Sequence, residues 1–117
     1  MHEFSIIEQV LKTVEWVAKE NNLSKVTKII LKIGKLRQVM PDFLQFAFES
    51  ASADTIAKGA TLEIKEVSIK IECLQCHHTF IANRNTYFCP TCRANQIKIL
   101  TGKEILIESI EGDRDGN

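Results

Sequence analysis

Every cysteine of this chain belongs to one of two pairs, Cys73-Leu74-Gln75-Cys76 and Cys89-Pro90-Thr91-Cys92. A Cys-x2-Cys segment folds as a tight knuckle that turns two sulfurs toward one point, and two such knuckles supply the four thiolates of a closed tetrahedral site. Soft donors in that geometry suit Zn²⁺ or an iron–sulfur cluster, and a lone four-cysteine site without another redox feature favours structural Zn²⁺. Other uses of the cysteines fit less well. Two disulfides need an oxidising compartment, whereas Met1-His2-Glu3-Phe4 opens the chain without a basic segment followed by a long apolar one, so the sequence reads as cytoplasmic. A redox Cys-x-x-Cys would leave the second pair without a purpose. Cys73-x-x-Cys76-His77 matches the short c-type haem attachment pattern, but attachment normally follows export. His77 and His78 then read as surface residues beside the zinc site, with alternative ligation or pH sensing as the competing role.

The second place where chemistry can gather is the very start. In Met1-His2-Glu3 the α-amine, a backbone amide nitrogen and the His2 imidazole can close on one ion in fused chelate rings. An all-nitrogen, near-planar set suits Ni²⁺ or Cu²⁺. A terminal amine titrates near ~7.7–8.0, so such a site weakens as pH falls. Taken alone, a histidine at position two is more often just an exposed side chain.

Composition sets the frame for both sites. The chain has 117 residues, 44% of them apolar and 7% aromatic, enough for one modest core. No run approaches the roughly 20 apolar residues of a membrane span. Fifteen Lys and Arg balance fifteen Asp and Glu, so no overall field draws the protein to nucleic acid or to an anionic membrane. Within 69–100 the cations Lys70, Arg84, Arg93 and Lys98 face only Glu72, and a four-thiolate Zn²⁺ centre would bring that lobe to about plus one. That is too weak for a phosphate-tracking stripe. A glycine-rich phosphate loop is also missing, so the chain shows no means of hydrolysing a nucleotide itself.

The elements that must position these residues follow from periodicity. Ile6, Ile7, Val10, Leu11, Val14, Val17 and Ala18 recur at helical spacing, which predicts an amphipathic helix over 5–20. Ser5-x-x-Glu8 has the form of a capping box, Glu3 would allow an earlier start, and Asn21-Asn22 supplies a stop. Val26 to Ile33 is rich in β-branched residues and predicts a strand ending at Gly34, with Ile29, Leu31 and Ile33 facing the helices. Pro41 suits the first position of a second helix, whose apolar face is Phe43, Leu44, Ala47, Phe48 and Ala51. Gly59 marks the turn into a strand through Ala60, Leu62 and Ile64.

The apolar phase then slips by one residue near Lys65-Glu66, giving Val67, Ile69 and Ile71, so the chain must bulge, break or change face. Strand character resumes at 97–100 and 104–108, and residues 67–72 and 96–100 can run side by side as a stalk. The organisation expected is an α/β domain formed by 1–68 and 101–117, with 69–100 inserted as a zinc-ribbon-like lobe built on the four cysteines. A lobe of about thirty residues cannot hold itself together by apolar burial, so metal binding would supply much of its folding energy. The charged, glycine-containing segment 111–117 predicts disorder.

The chain resembles the HypA/HybF family of hydrogenase maturation proteins along nearly its whole length. The resemblance is carried by Met1-His2-Glu3-Phe4-Ser5, Val26-Thr27-Lys28 leading to Ile33-Gly34, Phe46-Ala47-Phe48-Glu49, Gly59-Ala60-x-Leu62-x-Ile64, the two Cys-x2-Cys pairs and Gly102-Lys103-Glu104. It implies an α+β fold, a small mixed three-stranded sheet with two helices and an inserted zinc lobe, in agreement with the periodicity. It also implies a nickel metallochaperone that delivers Ni²⁺ to the large subunit of [NiFe]-hydrogenase, with urease served by some members.

On that resemblance His2 is the principal nickel ligand, with the Met1 amine and nearby backbone amides completing the site. Glu3 is an additional ligand or acts in handover. Asp42 is the nearest counterpart of a loop carboxylate that approaches nickel in some relatives, displaced by Pro41. Histidines flank both cysteine pairs in some relatives but only the first pair here, as His77-His78, which weakens zinc-ligand exchange as a mechanism. Cys73, Cys76, Cys89 and Cys92 hold Zn²⁺, Ni²⁺ is cargo, and the implied process is transfer rather than catalysis. The implied partners are a HypB-type GTPase and the hydrogenase large-subunit precursor, with a homodimer left open. The rival readings are a zinc-ribbon adaptor without a second metal, which would be indifferent to His2, and a thiol or haem enzyme built on Cys73 and Cys76.

Overall fold

The computed structural model describes residues 3–82 and 88–114. Met1 and His2, the expected nickel ligands, therefore lie outside the described residues. Among the described residues two helices and six strands follow the order α1 (Glu3–Glu20), β1 (Leu23–Gly34), a 3-10 turn at Lys35–Arg37, α2 (Pro41–Ser52), β2 (Thr61–Val67), β3 (Lys70–Cys73), β4 (Thr79–Ile81), β5 (Ile97–Thr101) and β6 (Ile105–Arg114). The strands form two three-stranded sheets, ordered β2-β1-β6 and β4-β3-β5. The chain divides into two compact units. One comprises the chain up to Lys32, Val39–Lys65 and the chain from Leu106; the other comprises Ile33–Gln38 and Glu66–Ile105. Among the described residues no helix is long and apolar enough to cross a membrane.

In the first unit α1 buries Ile6, Ile7, Val10, Leu11, Val14 and Ala18, a stripe at three- and four-residue intervals. It begins at Glu3, so Ser5 lies inside the first turn rather than capping it; a carboxylate there suits the positive end of the helix. The helix stops where Asn22 turns left-handed at φ 56°, and the Asn21 side chain donates to the Val17 carbonyl at 2.8 Å. β1 buries Ile29, Leu31 and Ile33, together with Val26.

Pro41 opens α2, where its missing N–H leaves no helix bond unmade. The buried stripe of α2 is Leu44, Ala47, Phe48 and Ser52. This corrects the expected face: Phe43 is 56% exposed, because the 3.6-residue period that runs through Ala47 and Phe48 reaches Ser52 and leaves Phe43 outside. Gln45 ties the helix to the sheet by donating from Nε2 to the Leu62 carbonyl at 2.6 Å. Gly59 takes φ 76°, the left-handed turn before β2.

β6 overturns the expected disorder from Glu111: the strand runs on to Arg114. The cause is the twelve-residue β1, whose flank supplies partners for it. Ser24 Oγ donates to the Asp113 carbonyl, Thr27 Oγ1 to the Glu111 carbonyl, and Arg114 Nε to the Asn21 carbonyl, at 3.2, 3.2 and 3.0 Å. As residue numbers rise along one segment they fall along the other, the signature of antiparallel neighbours. Residues 115–117, also expected to be disordered, lie outside the described residues.

The second unit contains the expected stalk. β3 pairs antiparallel with β5, from Cys73 opposite Ile97 to Lys70 opposite Thr101, with a bulge that leaves Leu100 unmatched. β4 pairs with the other edge of β3 and sets Phe80 opposite Ile71, which is fully buried. Gly34 packs against the Gly102 backbone so closely that a Cβ would overlap its carbonyl, and Gly102 itself has φ 113°. Leu36 donates to the Gly102 carbonyl at 2.9 Å and Arg37 Nε to the Lys103 carbonyl at 2.6 Å, which fixes this crossing.

Candidate metal centres

The two cysteine pairs repeat one backbone device. At the first, the N–H of His77 donates to the Cys73 carbonyl at 2.9 Å and the N–H of Cys73 to the His78 carbonyl at 2.8 Å. At the second, Arg93 donates to the Cys89 carbonyl at 2.8 Å and Cys89 to the Ala94 carbonyl at 2.9 Å. His77 and Arg93 occupy the same left-handed corner, with φ 62° and 64°. Each turn buries its first cysteine and leaves the second exposed: Cys73 and Cys89 are inaccessible, Cys76 and Cys92 face outward.

The four sulfurs converge across the pairs. Cys73 Sγ stands 3.5 Å from Cys92 Sγ, Cys76 Sγ stands 3.6 Å from Cys89 Sγ, and all four lie within 4.8 Å of one another. A tetrahedral ion with metal–sulfur bonds of about 2.3 Å sets neighbouring sulfurs roughly 3.8 Å apart, so the donor set fits a four-thiolate metal centre. Among the described residues this is the one cluster of metal-ligating side chains with such convergence.

The first unit presents a second arrangement, at the start of α1. Glu3 is half-buried, and its Oε2 accepts a hydrogen bond from the Met40 N–H at 3.4 Å. Phe4 meets Phe46 edge-on, with centroids 6.4 Å apart and planes at 88°. These two contacts hold the first turn of α1 beside the residue that precedes α2. Asp42 lies exposed in the first turn of α2.

The model of the family described as "Hydrogenase/urease nickel incorporation, metallochaperone, hypA" matches residues 1–112. The chain belongs to the HypA family. It is 42% identical to the hydrogenase maturation factor HypA of Dehalococcoides mccartyi strain CBDB1, over 97% of this chain and 95% of that one. The Aquifex aeolicus factor of the same name is 34% identical over 95% of this chain and 96% of its own length. The solution structure of the nickel metallochaperone HypA from Helicobacter pylori superposes with a TM-score of 0.71 at 25% identity, covering 98% of this chain and all of that one. A second HypA solution structure gives 0.72 at 28% identity, with 96% of both chains covered. HypA proteins are metallochaperones rather than catalysts, so the four-cysteine cluster of this HypA-family chain is a site of metal binding.

In this HypA chain the metal-free thiols divide their ionisation. The backbone N–H of Cys92, then that of Thr91, favours the Cys89 thiolate and draws its pKa down to about 6, against the opposing effect of burial. Cys73 is likewise lowered, first by the N–H of Cys76 and despite burial. Cys76 is pushed up to about 12: the His78 N–H favours its thiolate, but burial and the sulfurs of Cys89, Cys92 and Cys73 outweigh it. Cys92 is raised too: the Ala94 N–H favours its thiolate, as does Cys76, but burial and the sulfurs of Cys73 and Cys89 outweigh them. Four thiolates at this spacing cannot all ionise unaided, and a bound dication is what allows the full set.

The two histidines of the HypA lobe stay outside the cluster. His77 serves as the knuckle's left-handed corner, with its Nδ1 3.7 Å from Glu72 Oε2, and His78 stacks on Phe80 with centroids 6.1 Å apart. Met40 and Phe46 are the neighbours of Glu3 and Phe4 that sequence reasoning missed. Phe46 was legible only as part of a motif, and a backbone N–H carries no side-chain signal at all.

Proposed function

We propose that this chain binds Ni²⁺ at its N-terminus and delivers it for maturation of a [NiFe]-hydrogenase, while Zn²⁺ in the Cys73, Cys76, Cys89 and Cys92 site holds the cysteine lobe in shape. The observation that carries the reading is the family match, which begins at residue 1 and so takes in the whole Met1-His2-Glu3 segment. The geometry of the next residues supports it. Glu3 and Phe4 are tethered to Met40 and Phe46, so the donors that precede them emerge from a fixed point of the fold.

His2 is the principal ligand, through its imidazole, and the Met1 amine and the intervening amide nitrogen complete a nitrogen set suited to Ni²⁺. Glu3 stands next in sequence and is either a further ligand or a group that eases release. Chain-terminal ligands can be replaced by a partner's ligands one at a time without opening a core, which favours exchange over storage. Zinc is assigned to the cysteines because four closed thiolates are its ordinary structural environment, whereas an all-nitrogen terminal set is not.

The functional division proposed is a nickel-binding α/β domain of 1–68 and 101–117 and an inserted zinc domain of 69–100, which departs from the compact units at 33–38, 66–68 and 101–105. The partners are a HypB-type GTPase, which supplies the nucleotide switch that this chain lacks, and the hydrogenase large-subunit precursor, both in the cytoplasm. Urease maturation is a second destination, in keeping with the family's description. The test is delivery. Large-subunit precursor from cells that lack this protein should contain little nickel at ordinary nickel supply, and the wild-type chain, but not His2→Ala, should restore it. Equal nickel content with and without the protein would overturn the reading.

A further inference from the structure

β6 ends the sheet order β2-β1-β6, so one of its edges has no strand partner among the described residues. An open edge of ten residues is a ready template for pairing with another chain, and proteins usually blunt such edges with proline, bulges or charged side chains, lysine above all. Residues 105–114 contain neither lysine nor proline. Alongside the strand, α1 leaves an open groove of about 1110 Å³, lined by Thr13 and Val17 of the helix, by Asn21 just past its end, and by Ile107, Glu111 and Asp113 of the strand. A helix and a sheet edge that flank a groove make a seat for an added strand: the edge supplies main-chain hydrogen bonds, and the groove receives alternate side chains.

The charges of the strand select the occupant. Glu108 is held by Lys32 and Lys65 at 3.2 and 2.8 Å, and Arg114 is turned onto the Asn21 carbonyl. Glu111 and Asp113 remain on the groove, and among the described residues neither carboxylate takes part in an ion pair. Two copies of this chain joined through β6 would set one acidic edge against another, which opposes self-pairing. We propose that the β6 edge and the α1 groove receive an extended polypeptide segment bearing Lys or Arg at alternate positions, added as a fourth strand beside β6. This surface does not depend on which metal the chain carries.

The probe is a fluorescent decapeptide of alternating Lys and Val, titrated by anisotropy into full-length zinc-loaded protein. It is compared with an alternating Glu-Val decapeptide and with a Lys-Val decapeptide N-methylated at alternate backbone positions. Only the unmodified Lys-Val peptide should bind well, and it should slow amide exchange along β6. The double variant Glu111→Lys/Asp113→Lys should weaken it by at least about tenfold. The N-methylated peptide is tested on wild-type protein, so its arm stands even if the double variant folds poorly. Equal binding of the N-methylated peptide would reduce the effect to plain charge attraction and overturn the proposal. Protection elsewhere in the chain, or protection of β6 that rises with protein concentration in the absence of peptide, would also overturn it, the latter in favour of self-association.

Discussion

Phe46 sets its ring edge-on against Phe4, 6.4 Å between centroids, and so joins the second helix to the first turn of the first. Both rings are about half exposed or more, at 64% and 47%, so the pair is not explained by core burial. Its effect is to tie the first turn of α1 to α2.

Phe46→Ala should therefore loosen the start of α1. An edge-to-face pair is worth about 0.5–1.5 kcal/mol beyond area burial, and a loss of that size is expected in urea unfolding. Nickel affinity should fall while zinc content stays at the wild-type value. Unchanged nickel affinity with normal zinc would show that the tether does not serve the terminal site.

A lobe of this size should depend on a metal ion held by its four cysteines. Cys76→Ser or Cys89→Ser should lower bound zinc to a small fraction of one per chain. Amide exchange should then accelerate across β3, β4 and β5 before it does so in α1 and α2. Structural zinc contributes on the order of 10–16 kcal/mol of apparent binding energy in small domains, far more than a lobe of this size can replace by packing. Simultaneous loss of protection in both units would contradict the local role. His77→Gly, by contrast, should keep zinc, because its φ of 62° is a position that glycine adopts freely.

Glu108 sits between Lys65 and Lys32, and both lower its carboxyl below the usual range, Lys65 first. A depressed folded-state pKa gives stability that is present above the ordinary value of about 4.5 and is lost as pH falls through the folded value. Lys65 is raised above 10.5 by the same partner, so its share is present below that pH and is lost as pH climbs through the raised value. Glu108→Gln should reduce the urea midpoint at pH 7 and make no difference at a pH below the folded carboxyl's titration. The three groups are largely solvent-facing, so added salt should shrink the effect. A pH-independent difference would remove the ion-pair explanation.

Gly34→Ala places a methyl group against the Gly102 carbonyl, where backbone rather than a pliable side chain must yield. Overpacking of this kind costs roughly 1–3 kcal/mol, and it should appear as faster exchange at Leu36 and in β5. Gly59→Ala meets no atom within 4 Å, and its smaller penalty comes only from φ 76°. Equal destabilisation by the two would show that close approach is not what Gly34 provides.

What could be read from the sequence was what neighbouring residues determine. The Cys-x2-Cys pairs announced their cluster because a knuckle is built from consecutive residues, and the slip in apolar phase at Lys65-Glu66 lies where the two compact units divide. The helical stripes were legible except at the ends of α2, where apolar Phe43 lies off the buried stripe and polar Ser52 lies on it. Glu111 to Arg114 carry no apolar alternation, so their strand is visible only once Ser24 and Thr27 are seen to pair with it. β4 has three residues, too few for a period. The Glu3–Met40 and Phe4–Phe46 contacts join residues far apart in the chain, and nothing local foretells them.

If the terminal amine and His2 hold nickel, equilibrium Ni²⁺ binding to zinc-loaded protein will show it. Wild type should bind one Ni²⁺ per chain, more weakly as pH falls through the titration of a terminal amine near ~7.7–8.0. His2→Ala and a chain carrying one additional residue before Met1 should both lose that site and keep their zinc. Nickel bound equally by all three proteins would contradict the account and place the cargo elsewhere.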